Sequence, residues 1–216
     1  MITSELKKRL VTSFFLILIL LIVIKSNFFL GFCLIVLSVL SILEFLNIIR
    51  KIINNKIVLI LLNTFFILYV FSFSTAFFHF SNFLNLKIIL FVILSCCIAS
   101  DIGGFIIGKK FKGPKLTKIS PNKTINGSLG SIIFSIFIFS GLCYYFTNNF
   151  SYKFILVAII ISLANQFGDL LFSYLKRRAK MKNTGNILPG HGGILDRLDG
   201  IYLGLPVGFT FIILIF

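Results

Sequence analysis

An all-α fold is what the sequence predicts: a polytopic integral-membrane helical bundle of about seven transmembrane helices with two polar loops on the cytoplasmic side. Three observations predict it. The 216 residues are 58% hydrophobic with a mean hydropathy of +1.06, too apolar for a soluble or a disordered chain. The apolar residues come in long uninterrupted runs, the signature of helices that cross the hydrocarbon core. The segments between the runs are short, and their positive charge alternates from one side to the other.

Seven runs follow in order: Leu10–Ile24, Phe28–Leu46, Ile57–Phe78, Leu86–Ile107, Ser128–Phe146, Phe154–Tyr174 and Asp199–Phe216. The first follows Lys7-Lys8-Arg9 and imitates a secretory signal. What comes next is Lys25-Ser-Asn-Phe-Phe, without a small-x-small cleavage site, so an uncleaved first span is expected. It lies near the lower limit of about 17 residues, and Arg9 extends it by snorkelling. Lys25, the Arg50–Lys56 segment, Lys87, residues 108–127, Lys153 and residues 175–198 mark the six breaks. No internal repeat or low-complexity linker interrupts the chain, which reads as one integral-membrane unit over 1–216.

Charge placement sets the orientation. Counting alternate segments from the N-terminus, one side holds 18 Lys and Arg and the other only Lys25, Lys87 and Lys153. The positive-inside rule puts the rich side in the cytoplasm, together with both long loops, 108–127 and 175–198. The formal charge of +15 would suggest nucleic acid in a soluble domain. Here it belongs to loops beside anionic lipid, and no nucleic-acid partner is expected. Cys33, Cys96, Cys97 and Cys143 fall inside apolar runs without metal-type spacing and read as small buried hydrophobes.

Only six acids occur: Glu5, Glu44, Asp101, Asp169, Asp196 and Asp199. A carboxylate inside a membrane helix costs about 2.5–3.5 kcal/mol on insertion scales, so each one requires an explanation. Asp169 ends the sixth run, in Gln166-Phe-Gly-Asp169, either as partner to a cation or as a metal-binding or catalytic acid. Asp196 and Asp199 are three apart, on one face if the last helix begins here. Paired carboxylates without a Cys or His pair suit a hard divalent cation, magnesium or manganese. The plainer reading makes Asp196 an acid at a helix N-terminus.

Cations and glycines complement these acids. Lys176-Arg177-Arg178, Lys180 and Lys182 follow Asp169, and Pro189-Gly-His-Gly-Gly193 supplies backbone N–H groups that can approach an anion. Ser120-Pro-Asn-Lys-Thr124 with Asn126-Gly127 forms a second polar turn, and neither turn is a Walker P-loop. Carboxylates for a metal beside Lys, Arg and Gly for phosphates are what phosphoryl or nucleotidyl transfer needs. His191 suits a general base, a phosphate donor or a turn residue. Asp101, followed by Gly103-Gly104, suits pairing with a loop cation or binding nucleotide.

Two stretches carry a longer pattern: Ser173-x-Leu-Lys176-Arg177-x4-Lys182, then Gly185-x2-Leu188-Pro189-x-His191-Gly-Gly-Ile-x-Asp196-Arg197-Leu198-Asp199. Together they resemble the signature of the phosphatidate cytidylyltransferases (CDP-diacylglycerol synthases). Gly168-Asp169-Leu170, Ser120-Pro-x-Lys123-Thr124 and Asp101-x-Gly-Gly-x3-Gly108 extend the resemblance over most of the chain. It implies transfer of CMP from CTP to phosphatidic acid, with release of pyrophosphate, by an enzyme of the bacterial inner membrane with its site toward the cytoplasm. It implies magnesium on Asp169 and Asp196 with Asp199 nearby, a second cation such as potassium, and a homodimer. Asp169, Lys176, Arg177 and Asp196 would be the catalytic set. Asp101, Ser120, Lys123, Thr124, Asn126, Ser173, His191, Gly192, Gly193 and Arg197 would contact substrates.

Three positions depart from the family pattern. Asn183 and Asn126 stand where acids are usual, and Phe172 replaces a glutamate before Ser173. Both asparagines keep hydrogen-bonding capacity without charge. The rival expectation is a lipid-phosphate-binding or transport protein that uses these cations without turnover. A CDP-alcohol phosphotransferase is disfavoured, because Asp199-Gly200 continues as Ile-Tyr-Leu rather than into Asp-Gly-x2-Ala-Arg. A channel is weaker still, with the charges in loops.

Overall fold

The structure is a computed structural model that describes residues 18–117, 120–121, 123–187 and 192–216. Among these the chain is all-α, without a strand, and an isolated β-bridge joins Lys115 and Thr124. A helix covers 18–25 (α1), followed by α2 (Asn27–Ile52), α3 (Lys56–Ser81), α4 (Leu84–Phe111), α5 (Ile125–Thr147), α6 (Tyr152–Arg178), α7 (Leu195–Leu198) and α8 (Ile201–Ile215). Among the described residues six stretches are long and apolar enough to cross a membrane: α2 to α6, and Leu195–Ile215. The expected first span, Leu10–Ile24, lies largely outside the described residues, and its described part is helical.

The other six expected helices are present, but several run further than the apolar runs do. The sixth, expected to end at Tyr174, ends at Arg178, and the fourth ends at Phe111 rather than Ile107. The extensions contain Lys109, Lys110, Lys176, Arg177 and Arg178. Cations suit the negative end of the helix dipole and snorkel to the interface, so a charge at this end does not stop a helix.

The last helix, expected over Asp199–Phe216, is one rod that starts two residues later, at Ile201. Before it a short helix, α7, stops at Leu198 and the chain turns at Asp199 and Gly200, so Asp196 and Asp199 do not share one helix. Asp199 Oδ1 accepts the N–H of Gly200 at 2.9 Å, a local bond that competes with helix. Glycine next to it weakens helix further.

Two compact units make up the chain. One comprises Met1–Phe83 and Leu175–Leu198, the other Leu84–Tyr174 and Asp199–Phe216. In the first, α2 and α3 form an antiparallel hairpin capped by Ser26 and Asn55. Phe45 stacks on Phe66 at 3.8 Å between ring centroids, and the Ser38 and Ser74 hydroxyls meet at 2.6 Å. The outer stripe of α3 exposes Phe65, Leu68 and Phe71, each more than 60% accessible. A helix apolar on all sides with such a face is built for lipid.

In the second unit α4 packs closely on α5. A Cβ at Gly103 would lie 2.6 Å from the Gly130 carbonyl oxygen, and one at Gly130 would lie 2.4 Å from Ile107 Cβ. Small residues facing each other let two backbones approach without a hydrophobic drive, the usual device of membrane helices. Cys96 and Cys97 are fully buried here, as hydrophobes should be, and all four cysteines are free.

Candidate active site

Within the first unit, the site builds on the end of α6. Beyond Arg178 the helix closes with Lys180 in the left-handed region (φ 55°) and Met181 N–H donating to the Lys176 carbonyl at 2.9 Å. This is the helix-ending turn usually made by glycine. It sends the chain back, so that Lys176 Nζ donates to Asp196 Oδ1 at 2.7 Å. Both side chains are only 11% exposed. The other oxygen, Asp196 Oδ2, accepts the Thr184 N–H at 2.9 Å and the Gly193 N–H at 3.0 Å. Charged and amide donors together hold the ionised form.

Gly192 explains part of the glycine pair. Its φ of +85° is strained for a side-chain-bearing residue, and a Cβ would lie 2.9 Å from Asp196 Oδ2. At Gly193, buried beside Thr184 and Glu44, a Cβ would collide with both. The glycines bring backbone onto carboxylates, so the anion that the Gly193 N–H approaches here is the protein's own Asp196, and residues 189–191 of the turn lie outside the described residues.

Glu44 is the residue that sequence reasoning missed. It is 4% exposed on α2. Its Oε2 accepts from the Thr184 hydroxyl at 2.5 Å and the Leu195 N–H at 2.9 Å, and its Oε1 accepts from the Ile194 N–H at 3.0 Å. The cost of a membrane carboxylate, applied to Asp169, applies equally to Glu44 and was the available signal. Arg177 is exposed and donates to the Met181 carbonyl at 3.4 Å. Arg197 is exposed beside Asp196 in α7. His191 lies outside the described residues.

Within the second unit, Asp169 pairs with Lys123 and accepts from Ser173 Oγ at 3.3 Å, one turn on along α6. The plainer alternative, a carboxylate partnered by a cation, is thus realised at Asp169. Lys123 is positioned by its loop. Leu116 N–H donates to the Lys123 carbonyl at 2.8 Å, and Lys123 N–H to the Ser120 carbonyl at 3.0 Å. Thr124 is the N-cap of α5, its hydroxyl accepting the Gly127 N–H at 3.1 Å, and Asn126 lies beside Gly113 in the first turn. Ser120 and Thr124 thus shape the loop.

One turn before Asp169, Asn165 is fully buried. Its Nδ2 donates to Asp101 Oδ1 at 2.8 Å, and its Oδ1 accepts no hydrogen bond among the described residues. Gln166 accepts the Ser128 hydroxyl at 2.6 Å and donates to Ser162 at 3.2 Å. Asp199 is 8% exposed, and a Cβ at Gly168 would lie 2.6 Å from its carbonyl oxygen. Ser162, Asn165, Gln166, Asp169 and Ser173 lie at helical spacing along α6. That periodic polar stripe was legible in the sequence, although only Gln166, Asp169 and Ser173 were singled out.

Within the second unit the oxygen donors at hand, carboxylates, hydroxyls and the Asn165 amide oxygen, are of the hard kind a divalent cation takes. Among the described residues no three of His, Cys, Asp and Glu gather into a metal cage.

Fold and site together define an integral-membrane helical protein whose polar segments pair carboxylates with lysines. A model of the Cytidylyltransferase family matches residues 50–215, and the chain belongs to that family. It is 42% identical over 135 residues to the phosphatidate cytidylyltransferase of Rickettsia felis, covering 57% of this chain and 59% of the relative. With that of Synechocystis sp. it shares 34% over 141 residues, 63% of this chain and 47% of the relative. With that of Helicobacter pylori the figures are 38% over 112 residues, 52% and 42%. The chain spans about half the length of the curated relatives it matches.

Proposed function

We propose that this protein transfers CMP from CTP to phosphatidic acid, giving CDP-diacylglycerol and pyrophosphate. Its place is the bacterial inner membrane, with the Lys123 loop and the 175–198 segment facing the cytoplasm. The observation that carries the reading is Asp196, a carboxylate held by Lys176 and two backbone amides inside a segment matched by the family model. The curated relatives bear the name of this activity.

A phosphatidate oxygen attacks the α-phosphorus of CTP, the bond to the β-phosphate oxygen breaks, and pyrophosphate leaves. Phosphatidate is an anion near neutral pH, so attack needs no strong base. Positioning and charge neutralisation supply the catalysis. Lys123, Lys176, Arg177 and Arg197 bind phosphate oxygens, and Asp169 and Asp196 hold the two lysines in place until substrate arrives. Asp169 and Asp199 of the second unit, or Asp196 of the first, would be the carboxylates to hold magnesium, which would supply further neutralisation of phosphate charge.

Membranes containing the protein, given labelled CTP, phosphatidic acid and magnesium, should form lipid-extractable CDP-diacylglycerol. Absence of product from folded protein rejects the reading.

A further inference from the structure

Glu44 has no role in the reaction as just described, yet it is among the most buried acids of the chain. It lies eight residues inside the C-terminal end of α2, within an apolar helix. Among the described residues it forms no ion pair; one hydroxyl and two backbone N–H groups surround its carboxylate. A buried carboxylate without a cation is costly, and its geometry specifies what it does.

Three consecutive backbone donors, Gly193, Ile194 and Leu195, end on two carboxylates: the first on Asp196, the next two on Glu44. Thr184 links the same two acids, its N–H to Asp196 and its hydroxyl to Glu44. Non-helical backbone brought against a membrane helix must have its N–H groups satisfied by protein. A carboxylate does so with two acceptors of equal quality, whereas an amide would turn an NH2 toward one of the donors. Gly185 and Gly193 leave the room, since a Cβ at either would collide with the Glu44 carboxylate.

We propose that Glu44 is a positioning residue for the reaction: through Thr184 and the 193–195 backbone it fixes the segment that presents Asp196 to Lys176. The inference rests on the activity proposed above. Glu44 touches no substrate in this account, so its loss acts on turnover rather than on substrate affinity.

The test uses the full chain in lipid nanodiscs, taking only monodisperse protein, with Glu44→Gln, Thr184→Val, the Glu44→Gln/Thr184→Val double variant and Thr184→Ser. Amide hydrogen exchange over residues 192–198 is measured beside CDP-diacylglycerol synthesis. Glu44→Gln is expected to lower kcat by about 10–100-fold, the usual scale for a supporting hydrogen-bond partner, with KM for CTP nearly unchanged. Exchange at Ile194 and Leu195 should quicken. Thr184→Ser, which keeps the hydroxyl, should stay close to wild type, and the double variant should be no worse than the poorer single one, since the residues act as a unit. Wild-type kcat in monodisperse Glu44→Gln, unchanged exchange, or losses that multiply in the double variant would overturn the proposal. A wild-type protein that makes no CDP-diacylglycerol rejects the activity instead. Exchange then decides on Glu44: lost protection supports the anchoring role, and retained protection overturns it.

Discussion

The Lys176 ammonium stands 2.7 Å from Asp196 Oδ1, across a turn of twenty residues, with both side chains nearly withdrawn from solvent. Each charge makes the other tolerable there, and two backbone N–H groups complete the shell of the carboxylate. Removing one partner of such a pair leaves the other uncompensated.

Asp196→Asn should therefore lower turnover by about 100-fold or more, the scale of losing one preorganised electrostatic contact. The protein should still reach the membrane fraction. Activity assays beside immunoblots of membranes check both parts, and near-normal turnover would remove Asp196 from the site.

The Lys123–Asp169 pair is more open, with side chains 27% and 31% exposed. Lys123→Gln should alter thermal stability in detergent by under about 1 kcal/mol, as partly exposed pairs do. It should lower kcat/KM for CTP clearly. A large loss of stability with intact kcat/KM would make the pair structural.

Gly103→Ala and Gly104→Ala separate backbone from side-chain crowding on α4. At Gly103 a Cβ meets the Gly130 carbonyl and Phe134, whereas at Gly104 it meets the Ser131 hydroxyl first, which can rotate away. Gly103→Ala should destabilise by about 1–3 kcal/mol and Gly104→Ala by less, as read from detergent melting curves. The reverse order would contradict the observed packing of α4 on α5.

Asn183 stands where the family pattern has an acid, close to Gly192 and hence to Asp196. Asn183→Asp should leave the rate unchanged or raise it. Complete loss would show a site adapted to the neutral side chain.

The helices and their order were legible because lipid-facing residues must be apolar, and long apolar runs have few other uses. Helix ends were not: Lys176, Arg177 and Arg178 read as loop yet complete the last turn of α6. The short helix α7, Leu195–Leu198, was not legible either, since four residues carry no helical period. Among site residues, Asp169, Asp196 and the lysines stood out by charge. Glu44 carries the same charge signal, but its partners, the Thr184 hydroxyl and two backbone N–H groups, lie 140, 150 and 151 residues away and no spacing encodes them. Asn165 was equally hidden, its link to Asp101 lying 64 residues back along the chain.

The most direct test of the central claim is stoichiometry with purified protein in nanodiscs holding phosphatidic acid, with CTP and magnesium added. The account predicts CDP-diacylglycerol and pyrophosphate in equal amounts, both lost on chelation of magnesium and in Asp196→Asn. Pyrophosphate released without lipid product, or no product from monodisperse protein, would contradict it.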